Sequence, residues 1–193
     1  MLSDLAVSAS HDKTLKVWDL ETRSELRTLA GHADYVSGVA VSANWRRAVS
    51  ASWDKTLKVW DLETGGELRT LVGHADHVFG VAVSADGRRA VSASKDKTLK
   101  VWDLETGSGL HTLAGHADSV SGVAVSADGR RAVSASKDKR LKVWDLETGE
   151  SVATFTCDAE VVCCAFAAAG ILIAGDAAGR LHFLSFLESR LGT

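Results

Sequence analysis

Three residue types that elsewhere hydrolyse esters and peptides recur along this chain at fixed spacing. They stand as His32, Ser50 and Asp54, again as His74, Ser92 and Asp96, and again as His116, Ser134 and Asp138. Ser, His and Asp together can make a nucleophilic triad, and repeated histidines are candidate metal ligands. Each trio is tied to a tryptophan at one further fixed offset, Trp60, Trp102 and Trp144. A catalytic centre needs one unique cluster of acid, base or metal-binding groups, whereas every ionisable group near these motifs repeats. The trios are therefore expected to be architecture, with no catalytic residue, metal or cofactor in the chain.

The elements that must hold these residues are short strands. Trp-Asp recurs at Trp18-Asp19, Trp60-Asp61, Trp102-Asp103 and Trp144-Asp145, 42 residues apart each time, and Gly-His keeps step at Gly31-His32, Gly73-His74 and Gly115-His116. Residues 31–72 and 73–114 differ at 9 of 42 positions, as do 73–114 and 115–156. Within a unit, apolar residues alternate over stretches rich in Val, Leu and Ala, bounded by turn residues, and no helical period persists. The unit beginning at Gly73 predicts strands over Val78 to Ser84, Arg89 to Ser94, Thr98 to Asp103 and Leu110 to Leu113. Asp86-Gly87 and Asp128-Gly129 suit tight turns needing positive φ, and Asp96 suits an Asx turn. The equivalent of Asp86-Gly87 in the preceding unit is Asn44-Trp45, whose indole is expected to be exposed.

Gly-His-Ala-Asp, then Val-Ala-Val-Ser-Ala-Asp-Gly, then Ser-Ala-Ser-Lys-Asp-Lys-Thr-Leu-Lys-Val-Trp-Asp resembles the WD-repeat family over nearly the whole chain, as prokaryotic members of it do. The resemblance implies an all-β fold, a propeller of four-stranded antiparallel blades around a channel. It also implies that His32, Ser50, Asp54 and Trp60, with the sets His74, Ser92, Asp96, Trp102 and His116, Ser134, Asp138, Trp144, form hydrogen-bond relays inside the blades. Histidines placed one per blade would lie too far apart to share a metal.

The chain reads as one propeller domain, 1–193. Residues 1–30 form a first blade lacking its innermost strand, 31–156 three repeats, and 157–193 a degenerate last repeat lacking its outermost strand. In that last unit Cys157-Asp158 stands where Gly-His belongs, Ala178 near the turn Asp and Leu184-Ser185 for Trp-Asp, while strands are still expected over Val161 to Phe166, Ile171 to Gly175 and Arg180 to Leu184. Four to five blades fall at the low end of the roughly four to eight that close a ring. The chain is accordingly expected to be the C-terminal part of a longer protein, or to close its ring by self-association.

Net charge of -3, with 22 Lys and Arg against 25 Asp and Glu, gives no broad positive field, so nucleic acid is not the expected partner. No apolar run spans a membrane and no secretory leader is evident at Met1, so a cytoplasmic location is expected. The three cysteines, Cys157, Cys163 and Cys164, make neither a disulfide framework nor a zinc set and are expected to be small buried residues.

Where near-identical units differ, function is most legible. Positions 35, 77 and 119 are Tyr35, His77 and Ser119; positions 37, 79 and 121 are Ser37, Phe79 and Ser121; and before the turn Asp stand His11, Trp53, Lys95 and Lys137. In the family these places lie on the face that contacts partners, and large aromatics anchor interfaces. The expected function is a scaffold or ligand-sensing module for protein or peptide. The alternatives are a sensor tail on an upstream signalling ATPase or kinase and, least favoured, a propeller enzyme.

Overall fold

A computed structural model describes residues 4–167 and 170–185, and every statement of absence below refers to these. They form eighteen strands in five antiparallel sheets with no α-helix. The first sheet comprises β1 (Leu5–Ala9), β2 (Thr14–Asp19) and β3 (Ser24–Ala30). Three four-stranded meanders follow: β4 to β7 (Val36–Val41, Arg47–Ser52, Thr56–Asp61, Glu67–Val72), β8 to β11 (Val78–Val83, Arg89–Ser94, Thr98–Asp103, Gly109–Ala114) and β12 to β15 (Val120–Val125, Arg131–Ser136, Arg140–Asp145, Ser151–Thr156). The fifth sheet holds β16 (Val161–Phe166), β17 (Ile171–Asp176) and β18 (Leu181–Ser185); an outermost strand here would fall outside the described residues. Among the described residues the first sheet has three strands, in the order β1-β2-β3.

The alternation of each strand presents two apolar faces, and successive blades stack them. Val49, Ala51, Leu57, Val59 and Leu71 of the second blade meet Val78, Ala90, Trp102 and Leu104 of the third. Equivalent layers join the first to the second, the third to the fourth and the fourth to the fifth. Each relay tryptophan thus belongs to the layer in front of its own blade. A buried indole removes roughly 150–250 Å² from water, a gross gain on the order of 4–6 kcal/mol. Because every unit carries the same two faces, any unit fits on the next.

Glycines mark the close approaches. A Cβ on Gly31 would sit 3.2 Å from the Trp60 ring, and one on Gly73 3.2 Å from Trp102, which is why Gly precedes His in the signature. Near the axis, where β4, β8, β12 and β16 pack side by side, a Cβ on Gly38 would lie 3.3 Å from the carbonyl oxygen of Phe79.

Two expectations are corrected. Trp45 is half-buried against the layer between the first and second blades, beside Val17 and Leu62, and not exposed. Its φ of 55° matches the 68° of Gly87, and Asn44 accepts from the Ser42 hydroxyl and the Arg46 amide as Asp86 does from Ser84 and Arg88. The indole's apolar contacts offset a conformation that costs roughly 1–2 kcal/mol in a residue with a Cβ. Of the cysteines, Cys157 is buried and Cys164 half-buried, but Cys163 is exposed, its sulfur beside Gly175 of β17.

Candidate binding face

The relays fix the turns from which the variable residues emerge. In the second blade the Trp60 indole donates to Ser50 Oγ over 2.9 Å, Ser50 donates to His32 Nε2 over 2.7 Å, and His32 Nδ1 donates to Asp54 Oδ2 over 2.7 Å. With one proton on each partner, this direction requires the Nδ1-protonated neutral imidazole. The third and fourth blades repeat it through Trp102, Ser92, His74, Asp96 and Trp144, Ser134, His116, Asp138. Burial pushes all three imidazoles below the usual histidine value. For Asp54, burial favours the protonated form, but hydrogen bonds from Thr56, His32 and the Ala33 and Thr56 amides prevail and hold its carboxyl at about 2. The Asp96 and Asp138 carboxyls are likewise lowered against burial. Asp96 also caps the amide of Thr98, the expected Asx turn.

This chemistry satisfies a core and reaches no substrate. Ser50, Ser92 and Ser134 have no exposed surface, and each oxygen already accepts an indole N–H. Among the described residues, no His, Cys, Asp and Glu cluster could hold a metal.

The last blade dispenses with the relay as a unit. Val161 pairs with Asp176 as Val120 pairs with Ser136, so the last unit has lost one residue ahead of β16 and one more between β16 and β17, and Cys157, not Asp158, occupies the place of His116. That corrects the alignment of Cys157-Asp158 with Gly-His. Cys157, Ala174, Ala178 and Leu184 then replace His, Ser, Asp and Trp together, leaving no orphaned polar partner. Exchanging both members of a buried pair for apolar groups can be nearly neutral, whereas removing one is costly. Asp176 instead binds His182 Nε2 and Arg180 Nε, each at 2.9 Å, and the His182 bond foremost holds its carboxyl far below the usual range.

The residue before each turn Asp is tethered to the residue entering the innermost strand: the Trp53 amide donates to the Tyr35 carbonyl, Lys95 to His77, and Lys137 to Ser119. Blade stacking then brings each such residue to its neighbour in the next blade. His11 stacks on Tyr35 at 4.5 Å and Trp53 on His77 at 4.8 Å, both with 12° between planes. Tyr35 lies 5.3 Å from Trp53, and Phe79 6.4 Å from it, edge on. Five rings from three blades thus form one continuous ladder. Beyond it, Trp53, His77, Phe79, Lys95, Ser121 and Lys137 line a shallow depression of about 560 Å³.

Two sequence candidates turn away from solvent. Ser119 is buried, and the half-buried Ser37 donates its hydroxyl to the Val78 carbonyl of the next blade at 2.6 Å, clamping blades together. Conversely, Glu160, Val162 and Ala177 occupy the equivalent places in the last blade, the Ala177 amide donating to the Glu160 carbonyl. The lost signature hid them; only the strand register reveals them.

Comparison with known families gives two matches. The WD domain, G-beta repeat, matches residues 2–19, 23–61 and 65–103. The TEP-1 C-terminal beta-propeller matches residues 116–186.

Proposed function

As this chain belongs to the WD-repeat β-propeller family, whose domains generally mediate protein–protein interaction, we propose that it is a non-catalytic module that binds a protein or peptide through the face bearing His11, Tyr35, Trp53, His77 and Phe79. The observation that carries this reading is the ring ladder across three blades. The repeats are otherwise so alike that five aromatic or imidazole rings gathered on one surface set it apart. Rigid rings at a surface give contact area at little entropic cost, as interface anchors do. The relays contribute by locking the turns, so that the rings are held before a partner arrives and binding does not have to order them.

The test is capture of a partner from native lysate by the chain and by a variant in which Tyr35, Trp53 and Phe79 are all Ala. The expected result is loss of capture with an unchanged far-ultraviolet spectrum and melting transition. Unchanged capture by the folded triple variant overturns the assignment of this face.

A further inference from the structure

We infer that the depression between the second, third and fourth blades takes an acidic peptide segment carrying a bulky apolar side chain, the apolar group on Trp53 and Phe79 and the carboxylates at Lys95 and Lys137. This rests on the binding face proposed above and adds the chemistry of what it holds. The floor and walls supply the first half of the recognition. Trp53 and Phe79 stand edge to face, and His77 backs the indole. An apolar side chain placed there covers aromatic surface that water now wets.

The second half is charge. Along the series His11, Trp53, Lys95 and Lys137, the uncharged or aromatic residues fall on the first two blades and the cations on the next two. Lys95 and Lys137, each in a turn just before a relay Asp, line the depression, and no carboxylate among the described residues does, so its own lining is cationic although the chain is net negative. The carboxylates of Asp96 and Asp138 in those turns are held by the relay histidines. Lys95 lies 3.7 Å from Asp76, a loose pair that an incoming carboxylate can share, and Lys137 has no ion pair among the described residues. The lining of the depression therefore combines apolar rings with cations.

A polyanionic backbone fits less well. Asp76 stands beside Lys95, and a net charge of -3 offers no broad positive field for a strand to follow. One or two carboxylates beside an apolar anchor match the size of the site.

The experiment uses three fluorescein-labelled probes with the full chain: a short peptide with a central phenylalanine flanked by glutamates, the same peptide with lysines for the glutamates, and an oligothymidylate of similar length. Fluorescence anisotropy at low and moderate salt reads binding. The expected result is that the glutamate peptide binds best and weakens with salt. Its affinity should fall at least about tenfold in Lys95→Glu/Lys137→Glu. It should also fall in Trp53→Ala/Phe79→Ala, with both variants melting as the parent does. Tighter binding of the lysine peptide, lost in Trp53→Ala/Phe79→Ala, overturns this inference while leaving the binding face intact. Tighter binding of the oligonucleotide overturns it in favour of nucleic acid. No binding of the glutamate peptide, or binding indifferent to both double substitutions, overturns it outright.

Discussion

Ser92→Ala removes a single oxygen from the interior of the third blade, and the relay makes that atom expensive. Ser92 is fully buried, its Oγ accepts the Trp102 indole N–H at 2.9 Å, and its hydroxyl donates to His74 Nε2 at 2.7 Å. Alanine leaves two buried polar groups without a partner at a cost of about 1–3 kcal/mol each, with almost no cavity, so a loss of about 2–6 kcal/mol is expected. Trp102→Phe removes the donor but leaves the Ser92 to His74 bond, and should cost about 1–2 kcal/mol. The double variant orphans only the imidazole nitrogen. Its loss should fall short of the sum by about 1–2 kcal/mol, the signature of a coupled network. Urea unfolding of the four proteins at pH 7.5, followed by circular dichroism, measures this. A Ser92→Ala loss within about 0.5 kcal/mol of the parent, or strict additivity, would refute the relay account.

Acidification should destabilise the chain: the folded histidines His32, His74 and His116 are neutral and lowered by burial, so the unfolded chain binds more protons below about pH 6.5. Stability is then complete above that pH and lost as it falls, with a further loss below pH 3.8 as Asp54, held at about 2 when folded, becomes protonated. Melting temperature between pH 7.5 and 5 checks the first step, and a rise on acidification would contradict it. Gly38→Val should cost about 1–3 kcal/mol because its Cβ would crowd the Phe79 carbonyl, whereas Gly66→Ala, whose nearest neighbour is Thr64 Oγ1 at 3.4 Å, should stay within about 0.5 kcal/mol in the same unfolding assay. Iodoacetamide at pH 8 should label the exposed Cys163 well before Cys164, whose thiol burial pushes up to about 12; peptide mass spectrometry distinguishes them, and equal labelling would contradict this difference in burial.

Strands, turns and relays were legible because each rests on local pattern repeated every 42 residues. The predicted Val78 to Ser84 strand is observed as Val78–Val83, and Arg89 to Ser94 and Thr98 to Asp103 are observed with those bounds. What was hidden depended on neighbours in space. Trp45 looked exposed because its turn is exposed in the other units, yet here the indole folds back on the layer beside the first blade. Ser37 and Ser119 share variable positions with Phe79 and His77, and only the fold shows one hydroxyl spent across the blade boundary and the other residue buried. The residue lost ahead of β16 shifted Cys157 into the histidine's place, a difference that strand pairing reveals and motif matching does not. The ladder itself joins residues 11, 35, 53, 77 and 79 through stacking between blades.

The central claim, that partners meet the ladder face, is tested most directly by position-specific photocrosslinking. A benzophenone side chain placed at Trp53, on the ladder, is compared with one placed at Val72, which is 73% exposed on an outermost strand. The account predicts discrete crosslinked adducts in native lysate from position 53 and none from position 72. The reverse pattern, or equal adducts from both, would contradict it.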